Sequence, residues 1–182
     1  TQAERALRDS EERIKQLLSL MPAAVYTCDS DGRITFYNRR AAQLWGRAPR
    51  LGVDDERFCG SFRLWRADGS PLARDQSPMA IAVRDGRSAR DMETVIEQPS
   101  GARVIVSVNV DPLYDPDGRR SGAINVFEDI TQRKQAEDKA AKLQDDLAHL
   151  NRVGMLSALS GALAHEINQP LAAVGHNVEV AL

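Results

Sequence analysis

Between Ala23 and Asp129 the chain is cut into short runs by turn dipeptides, and the segments on either side space their apolar residues for helices. Asp31-Gly32, Asp68-Gly69, Ser100-Gly101 and Asp117-Gly118 mark tight turns, because glycine adopts positive φ at little steric cost. Between these turns, residues 25–29, 33–37, 90–97, 103–110 and 122–127 read as strands. In the fourth run Val104, Val106, Val108 and Val110 share one face, with Ser107 and Asn109 on the other. Two short helices interrupt the strands. One is capped by Asn38, carries Ala41, Ala42, Leu44 and Trp45, and stops at Gly46. The other opens on Ser77-Pro78, a cap followed by proline at the first helical position, and stops at Gly86. Strands at both ends with helices between them imply an α+β domain on one antiparallel five-stranded sheet.

Upstream, residues 2 to 20 are charged, with Leu7, Ile14, Leu18 and Met21 forming one apolar stripe, and Pro22 ends this amphipathic helix. Downstream of Thr131, Ala136, Ala140, Leu143, Leu147 and Leu150 alternate at spacings of four and three, the stripe of a coiled coil. A second stripe runs through Leu156, Leu159, Leu163, Ile167, Leu171, Val174 and Val178, out of phase with the first. Gly154 marks either a plain helix break or a point where rotation or register is transmitted. As one helix, residues 131–182 would extend roughly 75 Å. A helix that long cannot bury its stripe alone, so a parallel homodimer is expected, joined by the N-terminal helix.

Composition narrows the function classes. A net charge of −2 with 27% charged residues argues against nucleic acid as a partner, which would need a basic surplus. The two cysteines, Cys28 and Cys59, offer no disulfide framework and no metal-ligand spacing, and fit a reducing cytoplasmic setting as small core residues. No apolar run approaches the roughly 20 residues of a membrane span, and no signal-peptide pattern opens the chain. The first residue is Thr1 and not Met, which marks the sequence as a piece of something longer and leaves a membrane anchor upstream open.

The central block resembles a PAS domain. The resemblance rests on Asp29-Ser30-Asp31-Gly32-Arg33-Ile34 leading to Asn38-Arg39-Arg40-Ala41-Ala42 and Gly46, then on Asp68-Gly69-Ser70-Pro71-Leu72 and Ser77-Pro78-Met79-Ala80. It closes on Gly122-Ala123-Ile124-Asn125-Val126-Phe127-Glu128-Asp129-Ile130-Thr131, whose Asp-Ile-Thr ending is characteristic of PAS domains that feed an output helix.

Near the C-terminal end, His165-Glu166-Ile167-Asn168-Gln169-Pro170-Leu171 resembles the phosphoacceptor box of two-component sensor histidine kinases, and most closely that of the dicarboxylate-sensing and oxygen-sensing kinases. The resemblance implies that His165 accepts the γ-phosphoryl group of ATP and passes it to an aspartate of a response-regulator receiver domain. Glu166 can orient the imidazole or take up its proton. Pro170 lacks an N–H, so the carbonyl of Glu166 loses its helix bond and the helix bends just past His165. Many such kinases with phosphatase activity carry Thr or Asn four residues after the phosphohistidine. Here that position is Gln169, which puts phosphatase chemistry in question. A zinc site fails on the same residue, because the metalloprotease pattern requires histidine there. The implied organisation is an N-terminal helix over 1–22, a PAS sensor domain over 23–129, a coiled-coil linker over 130–153 and, over 154–182, a truncated first helix of the dimerisation and phosphotransfer domain.

Family knowledge puts ATP and Mg on a separate C-terminal domain with an asparagine-rich box and glycine-rich loops, neither of which occurs in this chain, so the fragment alone should be inactive as a kinase. Haem is disfavoured, because His149, His165 and His176 all lie outside 23–129. A light-sensing flavin is disfavoured too, since Cys59 follows Arg57-Phe58 and does not stand in an Asn-Cys-Arg-Phe setting. Phe58, Phe62, Trp65, Met79 and Met92 are candidates to line a small-ligand pocket, against the alternative that they are ordinary core. The competing functional reading is a non-catalytic PAS and coiled-coil module for dimerisation and ligand binding.

Overall fold

The structure, a computed structural model, describes residues 2–152 and divides the chain into two compact units, Thr1–Lys134 and Gln135–Leu182. The first unit begins with helix α1 (Gln2–Leu20), followed by strands β1 (Ala24–Asp29) and β2 (Ile34–Tyr37) and helix α2 (Arg39–Trp45). Then come β3 (Arg63–Arg66), α3 (Pro78–Asp85), β4 (Ala89–Glu97), β5 (Arg103–Tyr114) and β6 (Arg120–Asp129). All strands pair antiparallel in one sheet of order β2-β1-β6-β5-β4-β3.

The α+β architecture expected from the turn spacing is present, with six strands where five were expected. The additional strand is β3, whose register sets Arg63 opposite Glu97 and Trp65 opposite Val95. Only Leu64 of its four residues is buried, so it carries too little alternation to be read without its partner. Strand β5 also runs past Val110 to Tyr114, carrying Pro112 opposite Ala123. The glycines of all four turn dipeptides have positive φ. Gly122 is required for a different reason: a Cβ there would lie 1.9 Å from the carbonyl oxygen of Cys28 on the neighbouring strand.

Both short helices start and stop where their caps imply. Ser77 Oγ accepts from the N–H of Ala80, and Gly86 closes α3 in the left-handed conformation. Asn38 does more than cap α2. Its Oδ1 accepts from the N–H groups of Ala41 and Val25, and its Nδ2 donates to the carbonyls of Leu18 and Ala23. One buried amide therefore ties the end of α1, the start of β1 and the start of α2 together.

The core lies between the inner sheet face and the short helices. Trp45 stacks on Phe127 with ring centroids 5.8 Å apart, and Tyr26 stands edge-on to both. Cys28 and Cys59 are buried in this core as free thiols.

The last strand hands over to a helix through fixed contacts. Ile130 is buried, and its N–H donates to the carbonyl of Ile105. The N–H of Ile105 donates to Thr131 Oγ1, and Asp129 Oδ1 accepts from the N–H of Thr131. Residues 131–152 are helical. On that helix Leu143, Leu147 and Leu150 are exposed in the single chain. No described helix is long and apolar enough to cross a membrane. His165, Glu166, Gln169 and Pro170 lie outside the described residues, as does the stripe from Leu156 to Val178.

Candidate functional site

A small cavity of about 20 Å³ sits against the inner face of the sheet. β1 brings Tyr26 to it, α2 brings Trp45, α3 brings Met79, β4 brings Thr94, and β6 brings Asn125 and Phe127. Space of this size takes about one water-sized group.

Its polar groups are ordered in one chain. Tyr26 and Asn125 are directly opposite in the β1–β6 ladder, and Asn125 Nδ2 donates to the Tyr26 hydroxyl at 3.3 Å. The Tyr26 hydroxyl donates in turn to the carbonyl of Phe58 at 2.8 Å. Phe58 holds φ at +66°, a conformation uncommon for a bulky residue, and the N–H of Cys59 closes a tight turn on the carbonyl of Arg57. Asn125 Oδ1 has no hydrogen-bond partner among the described residues, although Asn125 is only 5% exposed. Burial, reinforced by the neighbouring cysteines, keeps the Tyr26 hydroxyl well above its ordinary pKa. Burial and then Cys59 do the same to Cys28, so at neutral pH both groups stay uncharged and the Cys28 thiol is a poor nucleophile.

The five pocket candidates do not converge here. Met79 lines the cavity. Phe62 and Trp65 line a surface groove beside Pro71 and Leu72, with Phe62 46% exposed. Met92 is 44% exposed, and Phe58 contributes its carbonyl while its ring packs on the core beside Gly32. Tyr26, Trp45, Thr94 and Asn125, which line the cavity, are not among those candidates. The available signal was Asn125 itself, a polar residue in step with Ala123 and Phe127 at a position that strand alternation assigns to the core. Among the described residues no cluster of His, Cys, Asp or Glu has the arrangement of a metal site.

The opposite face of the same strands meets the emerging helix. Glu93 Oε1 lies 2.6 Å from Lys134 Nζ, one residue along β4 from the cavity-lining Thr94. Beside this pair β4 is bulged between Ala89 and Met92, with Asp91 at φ +47° and its N–H donating to Asn109 Oδ1.

An antiparallel sheet folded over a small interior cavity, with a helix leaving its last strand, is the architecture of a PAS sensor domain. The family described as PAS fold matches residues 18–135, and the chain belongs to it. Over most of its length the chain is also similar to bacterial sensor proteins, among them the sensor histidine kinase TmoS of Ectopseudomonas mendocina, 24% identical over 94% of the chain and 17% of that protein. It is 27% identical to Sensor protein TdiS of Thauera aromatica over 90% of the chain and 29% of that protein. It is 40% identical to the C4-dicarboxylate transport sensor protein DctS of Rhodobacter capsulatus over 80% of the chain and 22% of that protein. The chain thus spans less than a third of either relative. An RNA-binding light-oxygen-voltage receptor shares the fold, with a TM-score of 0.54 and 18% identity over 76% of this chain and 38% of that one.

Proposed function

We propose that this chain is the sensory and phosphoacceptor portion of a two-component histidine kinase that works in the cytoplasm. A small molecule in the interior cavity shifts the strands that line it, and those strands bias the helix leading to His165. The observation that carries this reading is the shared use of β4 and β6. Thr94, Asn125 and Phe127 face the cavity, while Glu93 pairs with Lys134 and Asp129 caps Thr131 at the root of the helix.

Two chains pair through the heptad segment, whose Leu143, Leu147 and Leu150 lack cover in the single chain. ATP and Mg are held by a catalytic domain on another part of the polypeptide. A nitrogen of His165 attacks the γ-phosphorus, a P–N bond forms as the P–O bond to ADP breaks, and Glu166 takes up the imidazole proton. The phosphoryl group then moves to a carboxylate oxygen of a response-regulator aspartate. Kinship to DctS supports this reading through 40% identity that reaches beyond the PAS segment.

The test is incubation of the chain with ATP, Mg and a purified histidine-kinase catalytic domain. An acid-labile, base-stable phosphoryl label that His165→Gln abolishes is expected. An unlabelled wild-type chain would instead favour a PAS and coiled-coil module that only dimerises and binds ligand.

A further inference from the structure

We propose that the interior cavity selects small neutral molecules carrying an O–H or N–H donor and rejects carboxylates and other anions; this rests on the cavity being the ligand site. The selecting atom is Asn125 Oδ1: Asn125 lines the cavity, and this oxygen is buried with no hydrogen-bond partner among the described residues.

The hydrogen-bond chain fixes which end of the amide meets Tyr26 and which is left unpaired. Tyr26 spends its only hydrogen on the Phe58 carbonyl, so its oxygen can only accept from Asn125, and the contact at 3.3 Å must come from Nδ2. Rotating the amide would set two acceptors against each other with no hydrogen between them. Oδ1 is therefore an acceptor that has lost water and gained nothing in return, and a ligand that donates to it recovers that loss.

Charge is excluded by the rest of the lining. Among the described residues no Asp, Glu, Lys, Arg or His side chain borders the cavity, whose walls are Trp45, Phe127, Met79 and other apolar groups with only the uncharged Cys59, Ser77 and Thr94 beside Tyr26 and Asn125. A carboxylate would present lone pairs to Oδ1 with no cation to compensate it. The donor group fits the space as it stands. The remainder of the ligand takes room from Met79, an unbranched thioether that repacks at low cost.

The chain holds two tryptophans, Trp45 in the cavity wall and Trp65 outside it, so their indole N–H resonances give a reporter and an internal control. The full chain is titrated with pyrrole, with furan, which has nearly the same shape but no N–H, and with succinate. Pyrrole should shift the Trp45 signal and leave Trp65 in place, with a Kd about fivefold below that of furan. Asn125→Leu should bring the two Kd values within about twofold, and succinate should leave Trp45 unmoved. Met79→Ala, which widens the cavity and keeps its polar wall, should tighten pyrrole binding. Furan binding as tightly as pyrrole to the unmodified chain would overturn the donor rule, as would succinate shifting Trp45 or a pyrrole preference that survives Asn125→Leu. In those three cases the cavity remains a binding site. If no probe moves Trp45, even in Met79→Ala, the ligand-site reading falls together with this one.

Discussion

Glu93 and Thr94 are consecutive in β4, yet Thr94 lines the interior cavity while Glu93 reaches Lys134 at 2.6 Å on the first turn of the emerging helix. Strand alternation places them on opposite faces, so a displacement of β4 felt at one side chain is delivered by the other. Both members of the ion pair are about a third exposed, which limits its worth to about 0.2–1 kcal/mol. Glu93→Gln should leave the fold intact. It should speed amide hydrogen exchange at Lys134, whose N–H donates to the carbonyl of Ile130, by about two- to fivefold at low salt. The effect should shrink at high salt. An unchanged exchange rate would mean that the ion pair does not hold the helix root, which then rests on its other contacts, those of Asp129, Ile130 and Thr131 among them.

Asn38 makes four hydrogen bonds with one amide, to Leu18, Ala23, Val25 and Ala41. Truncation removes a helix cap and leaves buried backbone groups at the start of β1 without partners. Asn38→Ala should cost about 3 kcal/mol in urea unfolding, more than an ordinary cap, and should loosen α1 from the sheet. A loss of about 1 kcal/mol would show that the cap alone matters and that the tie to α1 does not.

Why Asn38 could be read from sequence while the cavity wall could not is a matter of range. A cap bonds to backbone three residues away, so Asn38 before Ala41 and Ser77 before Pro78 announce their helices locally. Strand β3 exists because β4 pairs with it about thirty residues on, and Arg63-Leu64-Trp65-Arg66 has no internal pattern to show it. The five pocket candidates share a residue type, aromatic or Met, but the cavity is defined by inner-face position. That criterion keeps Met79, discards the exposed Phe62 and Met92, and brings in Tyr26 and Asn125, which meet across 99 residues.

The Tyr26 hydroxyl gives a pH signature. Burial raises its pKa in the folded chain, so the unfolded chain loses this proton first as pH rises past about 10. Above that point the unfolded state binds fewer protons, and stability falls with rising pH. Cys28 acts in the same direction from about pH 9 upward. Tyr26→Phe should cost about 1–2 kcal/mol at pH 7, because the Phe58 carbonyl and Asn125 Nδ2 lose their partner. It should also flatten the alkaline loss of stability above pH 10. Urea unfolding between pH 7 and 11 measures both effects, and an alkaline slope unchanged by the substitution would mean that the hydroxyl does not titrate with unfolding.

Leu143, Leu147 and Leu150 stand at heptad spacing on residues 131–152, each more than half exposed in the single chain. A stripe of this kind, on a helix with so little other cover, is stable in water only when a second helix packs its knobs against it. Leu147 sits in the middle of the stripe, where a carboxylate would be buried against apolar side chains. Leu147→Asp should therefore convert a dimer to a monomer by light scattering at micromolar concentration, while the circular dichroism of the sheet stays unchanged. A dimer that persists would place the contact elsewhere, with α1 and its exposed Ile14, Leu17 and Leu20 as the next surface to substitute.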